Sequence, residues 1–394
     1  MATDFDKVIN RKGTHSLKYD FATVRGKKAD ILPLWVADMD FQAPKAVRER
    51  LFEIVEHGIF GYSDTLEDYF RAVKSWYKRR FDWEIESDWI IKTPGIVFAL
   101  AMAVKAYTEP GESVLMLQPV YYPFREVIED NRRKLIGSPL KLEDGHYTID
   151  FEDMEKKIVK NRIHAAVFCS PHNPCGRVWE RWEIEKAMEL YKKYDVFVIS
   201  DEIWSDLILE GHKHIPTQSV SEDARNRTVA MYAPSKTFNL AGLVGSYHII
   251  YNGWLRERVL KESSLSHYNA MNVLSMHALV GAYKPEGYEW LDELRQVLTG
   301  NVEFACRYIQ DHFEGIEVSK PEGTYMLFLD CTKWCEKHGK TIDELQRAGV
   351  EVGVIWQDGR PFHGPCHIRM NLALPFSRVQ EAFERLDRYV FHAN

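Results

Sequence analysis

Between about Ile91 and Tyr251 the chain alternates short apolar runs rich in Val and Ile with stretches whose apolar positions recur at helical spacing. The runs read as strands covered on both faces and the stretches as helices, so their alternation predicts βα units around a mostly parallel sheet. The pattern places strands at 113–117, 165–169, 196–199, 228–232 and 246–251, with helices at 98–107 and 183–194. After Pro285-Glu286-Gly287 it changes to one long helical stretch, 288–313, followed by strand-like pieces at 325–330 and 367–372. A second, smaller α+β domain is expected there. The aromatic-acidic run from Leu34 to Phe41 is expected to pack against one of the domains or a partner subunit.

Length supports this division, because 394 residues exceed what one ordinary core organises. With 45% apolar and 28% charged residues, the composition is that of a water-soluble globular chain. A net charge of −7 and the absence of a long Lys/Arg run argue against a nucleic-acid partner. The opening residues are polar and acidic, and no stretch reaches eighteen apolar residues, so a cytoplasmic protein without a membrane partner is expected. The cysteines at 169, 175, 306, 331, 335 and 366 lack the dense spacing of a disulfide scaffold and read as thiols. His363-Gly364-Pro365-Cys366-His367 lacks a second ligand pair at zinc spacing, and no metal is expected.

Open parallel sheets bind ligands beyond the carboxyl ends of their strands, and four features of the sequence fall there. Lys236 follows the strand at 228–232, and Asp201-Glu202 closes the one at 196–199. Ser170-Pro171-His172-Asn173-Pro174-Cys175-Gly176 follows the strand at 165–169 and holds two X-Pro bonds that are candidates for cis turns. Thr93-Pro94-Gly95-Ile96-Val97 precedes a helix whose first N–H groups would face an anion. Each alone has a plain reading: a surface charge, a helix cap, a turn, a helix start. Jointly they supply an amine, a carboxylate for a pyridine nitrogen, a donor for a ring hydroxyl and a phosphate cradle, which is what pyridoxal 5'-phosphate requires.

Four strings, Trp35-Val36-Ala37-Asp38-Met39-Asp40-Phe41, Pro119-Val120-Tyr121-Tyr122-Pro123-Phe124, Ser170-Pro171-His172-Asn173-Pro174 and Ala233-Pro234-Ser235-Lys236-Thr237-Phe238-Asn239, make the chain resemble the fold-type I, class I/II aminotransferase superfamily of pyridoxal-phosphate enzymes. Within it they are most similar to the C–S β-lyase branch, the cystalysin and cystathionine β-lyase-like enzymes. The resemblance implies an aspartate aminotransferase-like fold: a large domain with a mostly parallel seven-stranded sheet flanked by helices, and a smaller α+β domain. It implies an N-terminal arm and part of the small domain at 1–47, the cofactor domain at 48–286 and the rest of the small domain at 287–394. Lys236 would be the Schiff-base lysine, Asp201 the partner of the pyridine nitrogen, Asn173 the donor to the ring oxygen, and Tyr121 the stacking ring. Gly95, Ile96, Val97 and Ser235 would cradle the phosphate, joined by Tyr62 from the other subunit of a homodimer. Arg369 would hold the substrate α-carboxylate, and Tyr122 would be a second acid or a substrate contact.

The sequence departs from the superfamily pattern at Trp204, where a tyrosine is common, at Ala233, where a serine is, and at Val244, where an arginine often stands. The ring oxygen should then lean on Asn173, and the phosphate on backbone amides. The branch implies loss of a thiol from cystathionine, cysteine or a related S-substituted cysteine, leaving pyruvate and ammonia. Transamination on the same scaffold is the alternative, and a regulatory or interaction protein a third reading that an intact site disfavours. A transcription factor would need a DNA-binding module, and family-like text already fills the first tens of residues.

Overall fold

A computed structural model describes residues 3–22 and 30–392. Its larger sheet has seven strands, running in space Ile90–Thr93, Ser246–Ile249, Thr228–Tyr232, Phe197–Asp201, Ala165–Cys169, Ser113–Gln118, Lys134–Pro139. All neighbours are parallel except Ser246–Ile249, which is antiparallel to both of its neighbours. The middle strands Ala165–Cys169 and Thr228–Tyr232 are buried at every position, because helices cover both faces of a parallel sheet and leave none for water. Ile96–Tyr107, Tyr122–Asp130 and Gly253–Ser264 lie over one apolar layer of the sheet, and Phe151–Asn161 and Arg181–Lys193 over the other.

Every strand expected in this region is present. The strand expected to stop at Ile199 runs to Asp201, which puts that carboxylate on the last strand residue rather than in the loop. Asp201 does not cap a helix either: its side chain accepts the N–H of Ile203 in a tight turn. Both X-Pro bonds of the Ser170–Pro174 stretch are cis, as is Gln118–Pro119.

The smaller sheet has the order Leu32–Leu34, Val354–Asp358, His367–Asn371, Met326–Asp330, Glu317–Val318. Its first strand comes from the N-terminal region and pairs in parallel with Val354–Trp356. Helix Pro285–His312 opens with proline in its first turn, where the missing N–H costs nothing, and buries one stripe from Tyr288 to Ile309 in the core shared with this sheet. The segment leading into Met326–Asp330 is stitched to the large sheet's side. Glu322 and Gly323 donate their N–H groups to Gly176, and Thr324 donates to Leu207. Arg177, almost fully buried, spans Glu183 at 2.7 Å and Glu322 at 2.9 Å. Gly176 permits this contact, since its φ is +71° and a Cβ there would lie 2.3 Å from Pro321.

The run from Leu34 to Phe41 packs against both halves of the molecule. Beyond the short strand it becomes a strap. Asn371 donates to the carbonyls of Val36 and Asp38, both at 2.6 Å, and Asn239 donates to those of Met39 and Phe41. Residues 3–22 fold back over the strap. Arg11 meets Asp38 at 2.8 Å and Asp40 at 2.7 Å, and the fully buried Lys18 reaches Asp40 at 3.2 Å. The six cysteines are free thiols. Among the described residues no helix is long and apolar enough to cross a membrane.

Candidate active site

Strand ends of the large sheet, the first turn of helix Ile96–Tyr107 and the strap enclose a cavity of about 210 Å³. Asp201, Asn173, Trp204, Ser235, Lys236 and Tyr121 all face it, and Gly95, Ile96 and Val97 form one end. Gly95 has φ +101°, a conformation glycine adopts without strain, and it caps a helix of 12 residues whose first N–H groups therefore open on the cavity. A Cβ on Gly95 would stand 3.4 Å from Val244 across that end. The structure thus brings together the lysine, carboxylate, amide, ring and cradle that the sequence placed on separate loops.

Three acids follow one another here, and their surroundings differ. Glu202, pointing away from the cavity, accepts from Ser200, Thr217, His214 and Tyr232 at 2.7 to 3.0 Å. Asp206 accepts from Trp76 and Thr237 and has Arg80 at 3.6 Å. Asp201 is as buried as they are, at 3% exposure, yet its side chain receives the Ile203 N–H and has no Lys or Arg within ion-pair distance among the described residues. Burial pushes its carboxyl up to about 7, and the neighbouring Glu202 adds to that while the Ile203 N–H and Lys236 oppose it. A buried carboxylate with no ion-pair partner among the described residues, aimed into a cavity, suits a ring nitrogen that carries a proton.

Lys236 sits in the single helical turn Pro234–Thr237, with its Nζ 2.8 Å from the carbonyl of Ala37. Enclosure brings its amine down to about 8, helped by the positive charge of Arg369 and opposed by Asp38 and Asp201. Trp204 lies 5.6 Å beneath the ammonium and packs edge-on against Tyr325. Arg369, on strand His367–Asn371, is 4% exposed. One of its terminal nitrogens donates to Asn173 at 3.4 Å and the other to the carbonyl of Trp35 at 3.1 Å, while Nε is buried without a partner among the described residues. Its plane lies 4.6 Å over Phe362. Such a guanidinium, lowered in proton affinity by burial and facing no carboxylate, is a ready site for one.

Lys236, Tyr121, Ala37 and Ala241 form the wall between this cavity and an outer cleft of about 760 Å³. Tyr122 and Arg369 face the cleft, and Tyr122 meets Phe362 edge-on at 5.3 Å. Tyr62 stands apart from both spaces and is fully exposed.

Sequence reasoning missed the strap's contribution. The carbonyl of Ala37 accepts from both Lys236 and Tyr325, and backbone acceptors leave no trace in residue type. Asn371 could have been found, because it lies two residues beyond Arg369 on the same face of one strand.

Residues 29–386 match the model of the family "Aminotransferase class I and II". The chain belongs to this family. It is 38% identical to cystathionine beta-lyase PatB of Bacillus subtilis, over 97% of this chain and 98% of that protein. It is 29% identical to protein MalY of Escherichia coli, with 96% of each chain covered. Among solved structures, cystalysin of Treponema denticola, which contains pyridoxal 5'-phosphate, superposes with a TM-score of 0.94 at 36% identity over 99% of both chains. The pyridoxal-phosphate-bound C-S lyase of Staphylococcus hominis gives 0.92 at 28% identity, over 99% of this chain and 98% of that one. The expected fold is the observed one.

Proposed function

We propose that this protein is a pyridoxal-phosphate-dependent carbon–sulfur β-lyase acting on cystathionine, cysteine or related S-substituted cysteines. The observation that carries this is that Lys236, Asp201 and Asn173 line one cavity, with Arg369 on the adjoining cleft and hydrogen-bonded to Asn173, in a chain similar along its whole length to C–S lyases. In this reading residues 48–286 form the cofactor domain, with 1–47 and 287–394 as arm and small domain.

The polar groups of the cavity fit the cofactor. Lys236 would hold its aldehyde carbon, Asp201 its ring nitrogen and Asn173 its ring oxygen, with Tyr121 against the ring face and the amides at Gly95, Ile96 and Val97, with Ser235, around the phosphate. Bound there, the cofactor supplies a sink for the electron pair released at the substrate Cα. Arg369 would grip the α-carboxylate with two parallel hydrogen bonds and so turn the Cα–H bond towards Lys236. The Lys236 amine, brought down to about 8 by enclosure and so neutral far more readily than a solvated lysine, takes that proton. Tyr121 keeps its own proton, since burial raises the phenol to about 12, and with Tyr122 it flanks the side from which the thiol departs. The released 2-aminoacrylate hydrolyses to pyruvate and ammonia.

A homodimer completes the site in this proposal. Val97 and Val244, at the phosphate end, are half exposed, and the apolar side chains of Phe52, Ile59, Phe60 and Leu66 are exposed, as is Tyr62 in full. A second subunit would bury these and bring its Tyr62 to the phosphate. Sedimentation of the loaded protein as a monomer would contradict this.

The deciding experiment follows pyruvate and absorbance while the loaded protein is titrated with L-cystathionine, L-cysteine and L-alanine. Elimination yields pyruvate from the sulfur amino acids with no keto-acid acceptor; an absolute need for an acceptor would make the enzyme an aminotransferase. Lys236→Ala should lose the yellow absorbance and more than about a thousandfold of the pyruvate rate.

A further inference from the structure

The proposed chemistry uses Asp201 and leaves Asp206, a second buried carboxylate on the loop that follows, without a task. Asp206 is 4% exposed and lines neither the cavity nor the cleft. Its carboxylate accepts the hydroxyl of Thr237 at 3.0 Å and the indole N–H of Trp76 at 3.1 and 3.2 Å, with Arg80 Nε at 3.6 Å. Thr237 is fully buried and directly follows Lys236 in the turn Pro234–Thr237. Trp76 is itself held, stacked against Tyr283 at 4.4 Å and Tyr288 at 4.3 Å, and it meets Phe238 edge-on at 5.5 Å. Because Trp76 belongs to helix Glu67–Phe81, one acid ties that helix to the turn that bears Lys236.

A helix of 4 residues does not hold itself, because its first bonds return less than the ordering of its residues costs. Its position must come from outside, and two of its side chains make hydrogen bonds among the described residues: Lys236 with the carbonyl of Ala37, and Thr237 with Asp206. The first weakens the moment the Lys236 nitrogen turns to the cofactor. The second involves no reacting atom, so it can hold the turn through every stage of a turnover. A bond to a carboxylate is roughly twice as strong as one between neutral groups. What it guards is large, since a shift of about 1 Å at a reacting centre can cost about a hundredfold in rate.

We propose that Asp206 is a positioning residue, which acts through Thr237 to hold the Lys236 amine where the cofactor and the substrate meet it. The inference rests on the reading of Lys236 as the cofactor-bearing lysine. It is tested on unloaded protein by the rate at which borohydride fixes label on Lys236, counted by mass spectrometry, with pyridoxal 5'-phosphate as one probe and formaldehyde as the other. The larger probe must be met at one place, and the smaller need not be. Thr237→Val keeps the shape of the side chain without its donor, and should slow fixing of pyridoxal phosphate by about tenfold while formaldehyde labelling changes by less than about twofold. Thr237→Ser, which keeps the hydroxyl, should stay within about twofold of wild type on both probes. In loaded protein Thr237→Val and Asp206→Asn should each lower kcat by about tenfold with KM nearly unchanged. The double variant should lose no more than the larger single loss, whereas independent effects would multiply to about a hundredfold. Thr237→Val decides the matter even where Asp206→Asn does not fold. A merely structural bond would lower Tm and open the site to both probes alike. Equal changes with the two probes, fixing of pyridoxal phosphate at the wild-type rate in Thr237→Val, or multiplied losses in the double variant would overturn the assignment alone. Wild-type protein that takes pyridoxal phosphate on a lysine other than Lys236 overturns the cofactor reading with it.

Discussion

The inner cavity and the outer cleft share a wall at Lys236, Tyr121, Ala37 and Ala241, yet they are built by different means. The cavity is lined by side chains at strand ends of a sheet buried on both faces, so its geometry is backed by a packed core. The cleft is bounded by a strap held through carbonyl groups and by an arm fastened through ion pairs that are largely withdrawn from water. The difference separates two tasks: the rigid part places groups that act on any substrate, and the fastened part meets what varies among substrates. Changes to the cavity should therefore strike every substrate alike, and changes in the cleft should discriminate.

The strongest way to break this comparison is at Asp201. Asp201→Asn keeps the shape but removes the negative charge, and should lower kcat by about two to three orders of magnitude for every substrate. A loss that depended on the leaving group would contradict the division. Arg369 stands on the boundary between the two spaces. Arg369→Lys keeps charge without the planar fork and should raise KM about tenfold or more, equally for large and small leaving groups, with kcat the less affected. Steady-state kinetics on L-cysteine and L-cystathionine would check both, and a kcat effect larger than the KM effect would move Arg369 into the chemical machinery.

The smallest effect sharpens the role of the shared wall. Because the unloaded Lys236 amine is lowered to about 8, and the neutral amine is the nucleophile, trapping by an aldehyde and borohydride should speed up as pH rises. The gain should be about fivefold between pH 7 and 8 and no more than about twofold above that. Mass-spectrometric counting of labelled Lys236 would measure it. A rate still climbing towards pH 10 would mean an ordinary, solvated lysine.

The same contrast explains what could be read from the sequence. Ala165–Cys169 and Thr228–Tyr232 are legible because continuous burial demands continuous apolar residues, and the site loops follow from the strands. Two strands of the large sheet escaped. Lys134–Pro139 is an edge strand ending in Gly, Ser and Pro, and Ile90–Thr93 is only 4 residues long, at the opposite edge. Leu32–Leu34 has a proline at its centre, tolerable on an edge strand but contrary to strand composition. In the site, chemistry borne by side chains was visible in Lys236, Asp201, Asn173 and Arg369. The acceptor role of Ala37 was not, because any residue would offer the same carbonyl. The cleft's outer wall depends on Arg11 finding Asp38 and Asp40, a pairing of surface-type residues that no local pattern encodes.

Pairing of Leu32–Leu34 with Val354–Trp356 joins segments more than 300 residues apart in the chain. A polypeptide still emerging from the ribosome can assemble the large sheet with Lys236, Asp201 and Asn173 in place long before that closure. Until Arg369 and Asn371 have been made, the strap has its bonds to Asn239 and Lys236 but lacks those that tie Trp35, Val36 and Asp38 to the small sheet. Biosynthesis therefore places Lys236 before it completes the enclosure that brings its amine down, so the lysine gains its reactivity only when the small sheet closes over it.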